Sequence, residues 1–316
     1  MKVDQSILLA KAQVLRRIRK FFERQGYTEV FTSPLLRSPN LDPNIGVFKV
    51  EGEQLYLHTS PEHPMKKLLA KERRSIYQLA PVFRNDREDT LHRKAFLMLE
   101  WYGVNHTYRD LMDETEALIT TLAKGKFGGG PGLQRRRGEL EIDLTPPWLR
   151  MNVEETFRRW IGASISDLRS EEGLENTFRR VGLDYEPEDT WETKFNMLFV
   201  HCIEPRIRGL GKPLFLYDYP VEVGLMAAPH PKDPTLVQRV ELFAGDLELM
   251  NGYTELTDPK EQLRRWREQW KDPDVDEELL KALPQMGLVA GAALGVERLL
   301  MLLWEAEEIS QVSLSE

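Results

Sequence analysis

Two acids, Glu241 and Glu248, stand on either side of a polar break, Ala244-Gly245-Asp246, that separates two apolar runs. If Ala244-Gly245 is a two-residue hairpin turn, the acids face each other across the strands with Cβ atoms about 5 Å apart. Like charges so placed repel. A divalent cation removes that cost, and Mg²⁺ takes one or two carboxylates while phosphate oxygens complete its shell; the alternative is that both side chains splay into solvent. A third acid, Glu100, interrupts the apolar run Phe96 to Tyr102, where period-two alternation sends Phe96, Met98, Glu100 and Tyr102 to one face. A carboxylate on an apolar strand must meet a cation, either a nearby arginine or a cationic ligand. Arg84 ends the apolar stretch Ile76 to Phe83, and Arg298 opens the last apolar helix. Either alone is an ordinary surface residue. Together these groups offer an aromatic ring for a base, guanidinium groups for phosphates, and carboxylates for a metal and an amine. Asn251 and Glu255 extend the polar surface, giving a nucleotide site on an antiparallel sheet.

The elements that would hold these residues follow from periodicity. Val14, Leu15, Ile18, Phe21 and Phe22 recur at three- and four-residue spacing between Ile7 and Arg24, and Gly26 stops the pattern, which predicts an amphipathic opening helix. Thr28 to Val30 reads as extended, and Pro34, unable to donate to a ladder, belongs at an edge or an interface. Glu62 to Leu69 reads as helix. Ser75 to Phe83 and Ala95 to Val104 read as strands joined by the charged run Arg84 to Lys94, hence as an antiparallel pair. A helix is expected over Leu111 to Leu122. Gly125 to Gly138, glycine-rich with Arg135, Arg136 and Arg137, reads as a flexible surface loop, with a partner-binding patch as the alternative. Val153 to Leu216 reads as helices interleaved with short strands, Leu288 to Leu294 as a strand, and Val296 to Glu305 as a closing helix.

Composition sets outer bounds. The 316 residues are 41% hydrophobic and 30% charged, which excludes wholesale disorder and leaves ample material for a core. The longest apolar stretches, such as Leu288 to Val296, fall well short of the ~20 residues that span a bilayer. The start lacks an export-signal pattern, and one cysteine, Cys202, cannot form an internal disulfide, so the cytoplasm is expected. A net charge of −8 weighs against coating nucleic acid. There is no Gly-x-x-x-x-Gly-Lys-Ser/Thr run, no His-Glu-x-x-His and no cysteine pair.

Phe83-Arg84-Asn85-Asp86, a loop, then Phe96 to Glu100 resembles motif 2 of the class II aminoacyl-tRNA synthetases. The run from Gly291 to Arg298, Gly-Ala-Ala-Leu-Gly-Val-Glu-Arg, resembles their motif 3, and Phe21 to Pro34 is similar to motif 1, whose proline sits at the dimer interface. Within that class, Thr59-Ser60-Pro61-Glu62, Met98 to Tyr102 and Glu248 to Glu255 resemble the lysyl enzymes. The resemblance runs over nearly the whole chain, in order. It implies an α+β class II catalytic fold, an antiparallel β-sheet flanked by helices, as a single domain over residues 1–316. It also implies a homodimer. The chain begins at the catalytic-domain helix, so no anticodon recognition of tRNA is expected. The resemblance is then to the truncated branch of the lysyl enzymes that attaches lysine or (R)-β-lysine to a lysine of translation elongation factor P. Ala293 stands where synthetases have Gly, as that branch tends to.

The resemblance also implies roles. Arg84 would hold the ATP α-phosphate and the substrate carboxylate, and Arg298 the γ-phosphate. Phe96 would stack on adenine, with His92 in the loop above it and Asp86 in the usual place of a Glu; the shorter acid is expected to loosen the adenine contact. Glu241 and Glu248 would bind Mg²⁺. Ser60, Glu62, Glu100, Tyr102, Asn251, Glu255 and Ala293 would surround the amino acid. Two further departures from the pattern are Glu297, in place of Asp, and His92-Arg93-Lys94-Ala95, in place of His-Asn-Pro-Glu. The competing readings are a non-catalytic synthetase-like regulator and a minimal lysyl-tRNA synthetase.

Overall fold

A computed structural model describes residues 5–125 and 132–313. The opening helix spans Gln5–Arg24, and Val14, Ile18 and Phe22, one face of its apolar stripe, are fully buried. They pack with the helix Tyr108–Ala123 and the closing helix Val296–Trp304 against one face of a nine-stranded sheet. Trp101 lies at the centre of that core, wholly buried, with its indole N–H donated to Glu114 at 3.1 Å.

Eight strands of the sheet run in the order Thr28–Glu29, Ile76–Phe83, Ala95–Val104, Val289–Gly295, Leu247–Thr254, Asp233–Ala244, Leu214–Pro220 and Leu149–Asn152, and the ninth, Pro229–His230, pairs with Asp233–Ala244 off this path. Its interior pairs are antiparallel, as expected, including the pair joined by the charged run Arg84 to Lys94. Both edges depart from the expectation: Thr28–Glu29 and Leu149–Asn152 pair in parallel with their neighbours, so the sheet is mixed. The glycine and alanine of Val289–Gly295 put a strand of small side chains in the middle of the sheet. No described helix is long and apolar enough to cross a membrane.

Two segments correct the sequence reading. Between residues 153 and 213 the described structure is helical only, from Val153–Ile161 to Glu204–Arg208, without interleaved strands. These helices bury Phe157, Phe178, Phe195 and Ile203 in a core of their own against Leu214 and Leu216. The second correction concerns the glycine-rich segment. Residues 126–131 lie outside the described residues, but Gln134–Arg137 is a strand paired with Leu140–Asp143. Its arginines are consumed internally: Arg135 is buried and donates to the Ala123 carbonyl at 2.7 Å, and Arg137 pairs with Asp246 at 2.7 Å. Two of the three cations of the supposed partner patch therefore face their own chain.

Candidate active site

The sheet face opposite the helical core bears a cavity of about 240 Å³, roofed in part by the segment 40–45. Ser60, Glu62, Arg84, Glu100, Tyr102, Asn251, Glu255 and Ala293 all line it. Register explains the convergence. Glu100, Ala293, Asn251 and Glu241 are direct neighbours across four adjacent strands, and Tyr102, Gly291, Tyr253 and Arg239 form a second row two residues away. Each row has a small residue of the central strand at its middle, which leaves room above the sheet. At Gly291 that room is already used, since a Cβ there would lie 2.3 Å from the Tyr102 ring and 2.6 Å from Glu255 Oε1.

One end of the cavity is an acid cluster. Tyr102 donates to Glu100 at 2.6 Å, Tyr253 donates to Glu62, and Lys66 Nζ lies 2.6 Å from Glu62 and 2.5 Å from Glu255. Glu100 Oε2 and Glu255 Oε1 are buried without a hydrogen-bond partner. Burial first, then neighbouring carboxylates, push Glu100 up to about 8. Burial likewise pushes Glu255 up to about 8 despite Lys66 beside it. Glu62 moves the other way, held below its ordinary value by the Lys66 ammonium against the opposing effect of its burial. The cluster thus has unused acceptor capacity, which suits ammonium groups, and holds protons at neutral pH that such groups would have to displace.

Next to Arg84, and outside the cavity lining, lie further aromatic and cationic groups. The Arg84 guanidinium sits 5.3 Å from the Phe96 ring centroid and its Nε lies 3.4 Å from the Thr59 carbonyl. Arg298 reaches the Glu248 carbonyl at 3.0 Å and His92 Nε2 at 2.6 Å. His92 Nδ1 faces Asp89 at 2.8 Å, so with Nδ1–H donated there Nε2 is free to accept from Arg298. Asp86 lies in the charged run that follows the strand Ile76–Phe83. Its Oδ1 accepts the Gly46 amide at 2.8 Å while the Asn85 amide donates to the Gly46 carbonyl, so one carboxylate oxygen anchors the segment that roofs the cavity. Glu297 pairs with Lys11 at 2.7 Å and accepts the Leu97 amide at 2.9 Å, tying the closing helix to the opening helix and to the strand Ala95–Val104.

The expected pairing of Glu241 with Glu248 is not found. The two-residue turn is Gly245-Asp246, one residue later than supposed, and a bulge follows it, so Glu241 faces Asn251 and Glu248 faces Phe243. The bulge matters because Leu249 and Met250 both enter the helical core, which brings Glu248 round to the face that carries Glu241. Their charges do interact, for Glu248 helps raise Glu241 after burial, and Glu248 also acts on Arg84. Nor is repulsion left for a metal alone to relieve: Arg239 lies 2.5 Å from Glu241, and Tyr219 donates to it. Among the described residues no group of three or more His, Cys, Asp or Glu side chains forms a metal cage. Two carboxylates, one of them exposed, nevertheless suit a cation that takes its remaining ligands from phosphate and water.

Three participants were missed. Lys66 is four residues from Glu62 within the apolar run Met65 to Ala70, a spacing that signals an internal ion pair. Arg239 is two residues from Glu241 on the same strand face, and donates to Asn251 at 3.2 Å. No sequence signal marks Tyr219, whose strand pairs with Asp233–Ala244 only in the folded sheet.

Residues 2–314 match the model of the family described as tRNA synthetases class II (D, K and N). The chain is 36% identical over 303 residues to an elongation factor P–(R)-β-lysine ligase homolog of Aquifex aeolicus, covering 93% of this chain and 94% of the relative. It is 34% identical to the elongation factor P–(R)-β-lysine ligase of Vibrio cholerae, covering 98% and 94%. It is 30% identical to a lysine–tRNA ligase of Dehalococcoides mccartyi, covering 97% of this chain but 63% of that protein. A match of this extent, joined to the sheet order and the two cross-strand rows above, shows that the chain belongs to the class II tRNA synthetases of the D, K and N family.

Proposed function

We propose that this protein is an AMP-forming ligase that activates lysine or (R)-β-lysine with ATP and transfers it to a lysine side chain of translation elongation factor P. The observation that carries the reading is the buried cluster of Glu62, Glu100 and Glu255, with spare acceptors, at one end of a cavity whose other end holds Arg84. A substrate with ammonium groups and one carboxylate matches that polarity. The relatives named above support the acceptor, since the chain corresponds to 94% of the length of the elongation factor P ligases and to 63% of the lysine–tRNA ligase.

In the proposed reaction Glu62, Glu100 and Glu255 take the ammonium groups, with Ser60, Tyr102 and Asn251 beside them and Ala293 leaving room in the floor. Arg84 holds the substrate carboxylate against the α-phosphate of an ATP stacked on Phe96, with Asp86 near the base. Arg298, released from His92, takes the γ-phosphate. Mg²⁺, held by Glu241, Glu248 and phosphate oxygens, would supply neutralisation of phosphate charge. The carboxylate attacks the α-phosphorus, pyrophosphate leaves, and an acyl-adenylate forms. The acceptor amine then attacks the acyl carbonyl, AMP leaves, and the amine's proton goes to solvent. The protein contributes position and charge stabilisation rather than covalent chemistry.

A homodimer is part of the proposal. Exposed Leu8, Leu9, Phe31 and Leu35, on and beside the opening helix, support it. The proposed location is the cytoplasm, consistent with the lone Cys202.

Exchange of labelled pyrophosphate into ATP tests activation, and a mass shift on elongation factor P tests transfer. Exchange with lysine or (R)-β-lysine and a shift of one aminoacyl group are expected. No exchange with either isomer would sink the reading, and labelled lysine appearing on tRNA alone would replace it with the synthetase reading. Gly291→Ala offers a separate check. Its methyl group must displace Tyr102 or Glu255, so calorimetry should show lysine affinity falling by at least about tenfold, at a stability cost on the order of 1–3 kcal/mol.

A further inference from the structure

The geometry points to Lys66 as the positioning residue that fixes the spacing and the net charge of the ammonium subsite, an inference that rests on the lysine reading above. Its side chain is wholly buried, and it does not line the cavity. It therefore acts through Glu62 and Glu255, 2.6 and 2.5 Å away, and it lies 5.2 Å from the Tyr253 ring centroid, whose hydroxyl also holds Glu62. One ammonium locks two carboxylates that come from different elements, the helix Glu62–Glu72 and the chain just beyond the strand Leu247–Thr254.

Charge counting shows what this accomplishes. Once a diammonium ligand has displaced the protons of Glu100 and Glu255, three ionised carboxylates and one lysine leave a net charge of minus two, which matches the two ammonium groups of a diamino acid. Without Lys66 the same acids would stand at minus three in a buried site, a state they avoid by taking up protons. The other charged groups nearby do not substitute for it. Lys67 is turned to Asp276 at 2.7 Å, and His63, pulled down to about 4 by burial, is neutral at working pH. Tyr102 and Tyr253 are held in the neutral form by burial, and among the described residues Tyr102 is the one side-chain donor to Glu100.

Lys66→Met should therefore raise the KM for lysine by about ten- to a hundredfold at pH 7 and move the midpoint of its pH dependence upward by about one unit or more. The kcat at saturating lysine and high pH should stay within severalfold of the parent value. A purely structural role would lower Tm and activity alike and leave the midpoint where it was. Lys66→Met combined with Glu255→Gln restores the count of minus two, and should bring the midpoint back toward that of the parent. An unshifted midpoint in the single variant, or failure of both variants to fold, would overturn the proposal. Parent protein without lysine-dependent exchange would instead indict the functional reading, so the two failures are distinguishable.

Discussion

Replacing Arg84 with alanine is expected to lower lysine-dependent pyrophosphate exchange by roughly a thousandfold while the fold persists. Arg84 is the cation between the two ends of the site: it touches the Phe96 face and feels the charges of Asp42, Glu248 and Asp86. In the proposed reaction it faces both the attacking carboxylate and the α-phosphate, where charge grows in the transition state. Removing one such preorganised donor elsewhere costs about 10²–10³ in kcat. Arg84→Lys should recover only part of the rate, because an ammonium cannot hold two oxygens in the fork geometry of a guanidinium. Among the described residues the one hydrogen bond from the Arg84 side chain is the long one to Thr59, so its loss should shift Tm by no more than a few degrees. Exchange within threefold of the parent rate would remove Arg84 from the reaction.

The affinity for lysine is expected to climb by a hundredfold or more between pH 6 and 8, then to level off as the carboxylates finish ionising. Glu100 and Glu255, both pushed up to about 8 mainly by burial, hold protons at neutral pH that an incoming diammonium must expel. Glu62, whose shift is downward, is ionised throughout this range and adds no slope. Calorimetry at pH 7 in two buffers of different ionisation enthalpy should therefore register proton release on binding. The same shifts bear on stability with a definite sign. Acids whose folded values lie above their unfolded values keep protons that the unfolded chain has lost. Their contribution is complete below the unfolded value near 4.5 and is lost as pH rises toward 8. Saturating lysine should flatten that decline. Binding without proton release would mean that both acids are already ionised in the free protein.

Much of the site was legible because the alternation of a strand is a local rule. Once Phe96 to Tyr102 is read as a strand, Glu100 and Tyr102 must share a face, and the structure has them bonded to each other. The order of motifs carried the fold class, and small residues at 290–295 marked the strand over which the cavity opens. The hairpin shows where local rules stop. A polar break locates a turn only to within a residue, and moving a two-residue turn by one residue shifts the pairing by two, which sets Glu248 opposite Phe243 instead of Glu241. The bulge beyond Glu248 then shifts the pairing by one more and brings Asn251 opposite Glu241.

Residue type and spacing by themselves determined which groups this protein can bring to chemistry: acids on strands, arginines at strand and helix ends, an aromatic beside them. Tertiary structure alone decided which acid meets which cation. Lys66 closes on Glu62 within one helix but on Glu255 across 189 positions of chain, Arg239 stands against Glu241, and His92 holds Arg298. The reason is physical. A local pattern sets the direction in which a side chain leaves the backbone, whereas the sign and strength of a buried charge depend on what packing brings within a few ångströms of it, from anywhere in the chain.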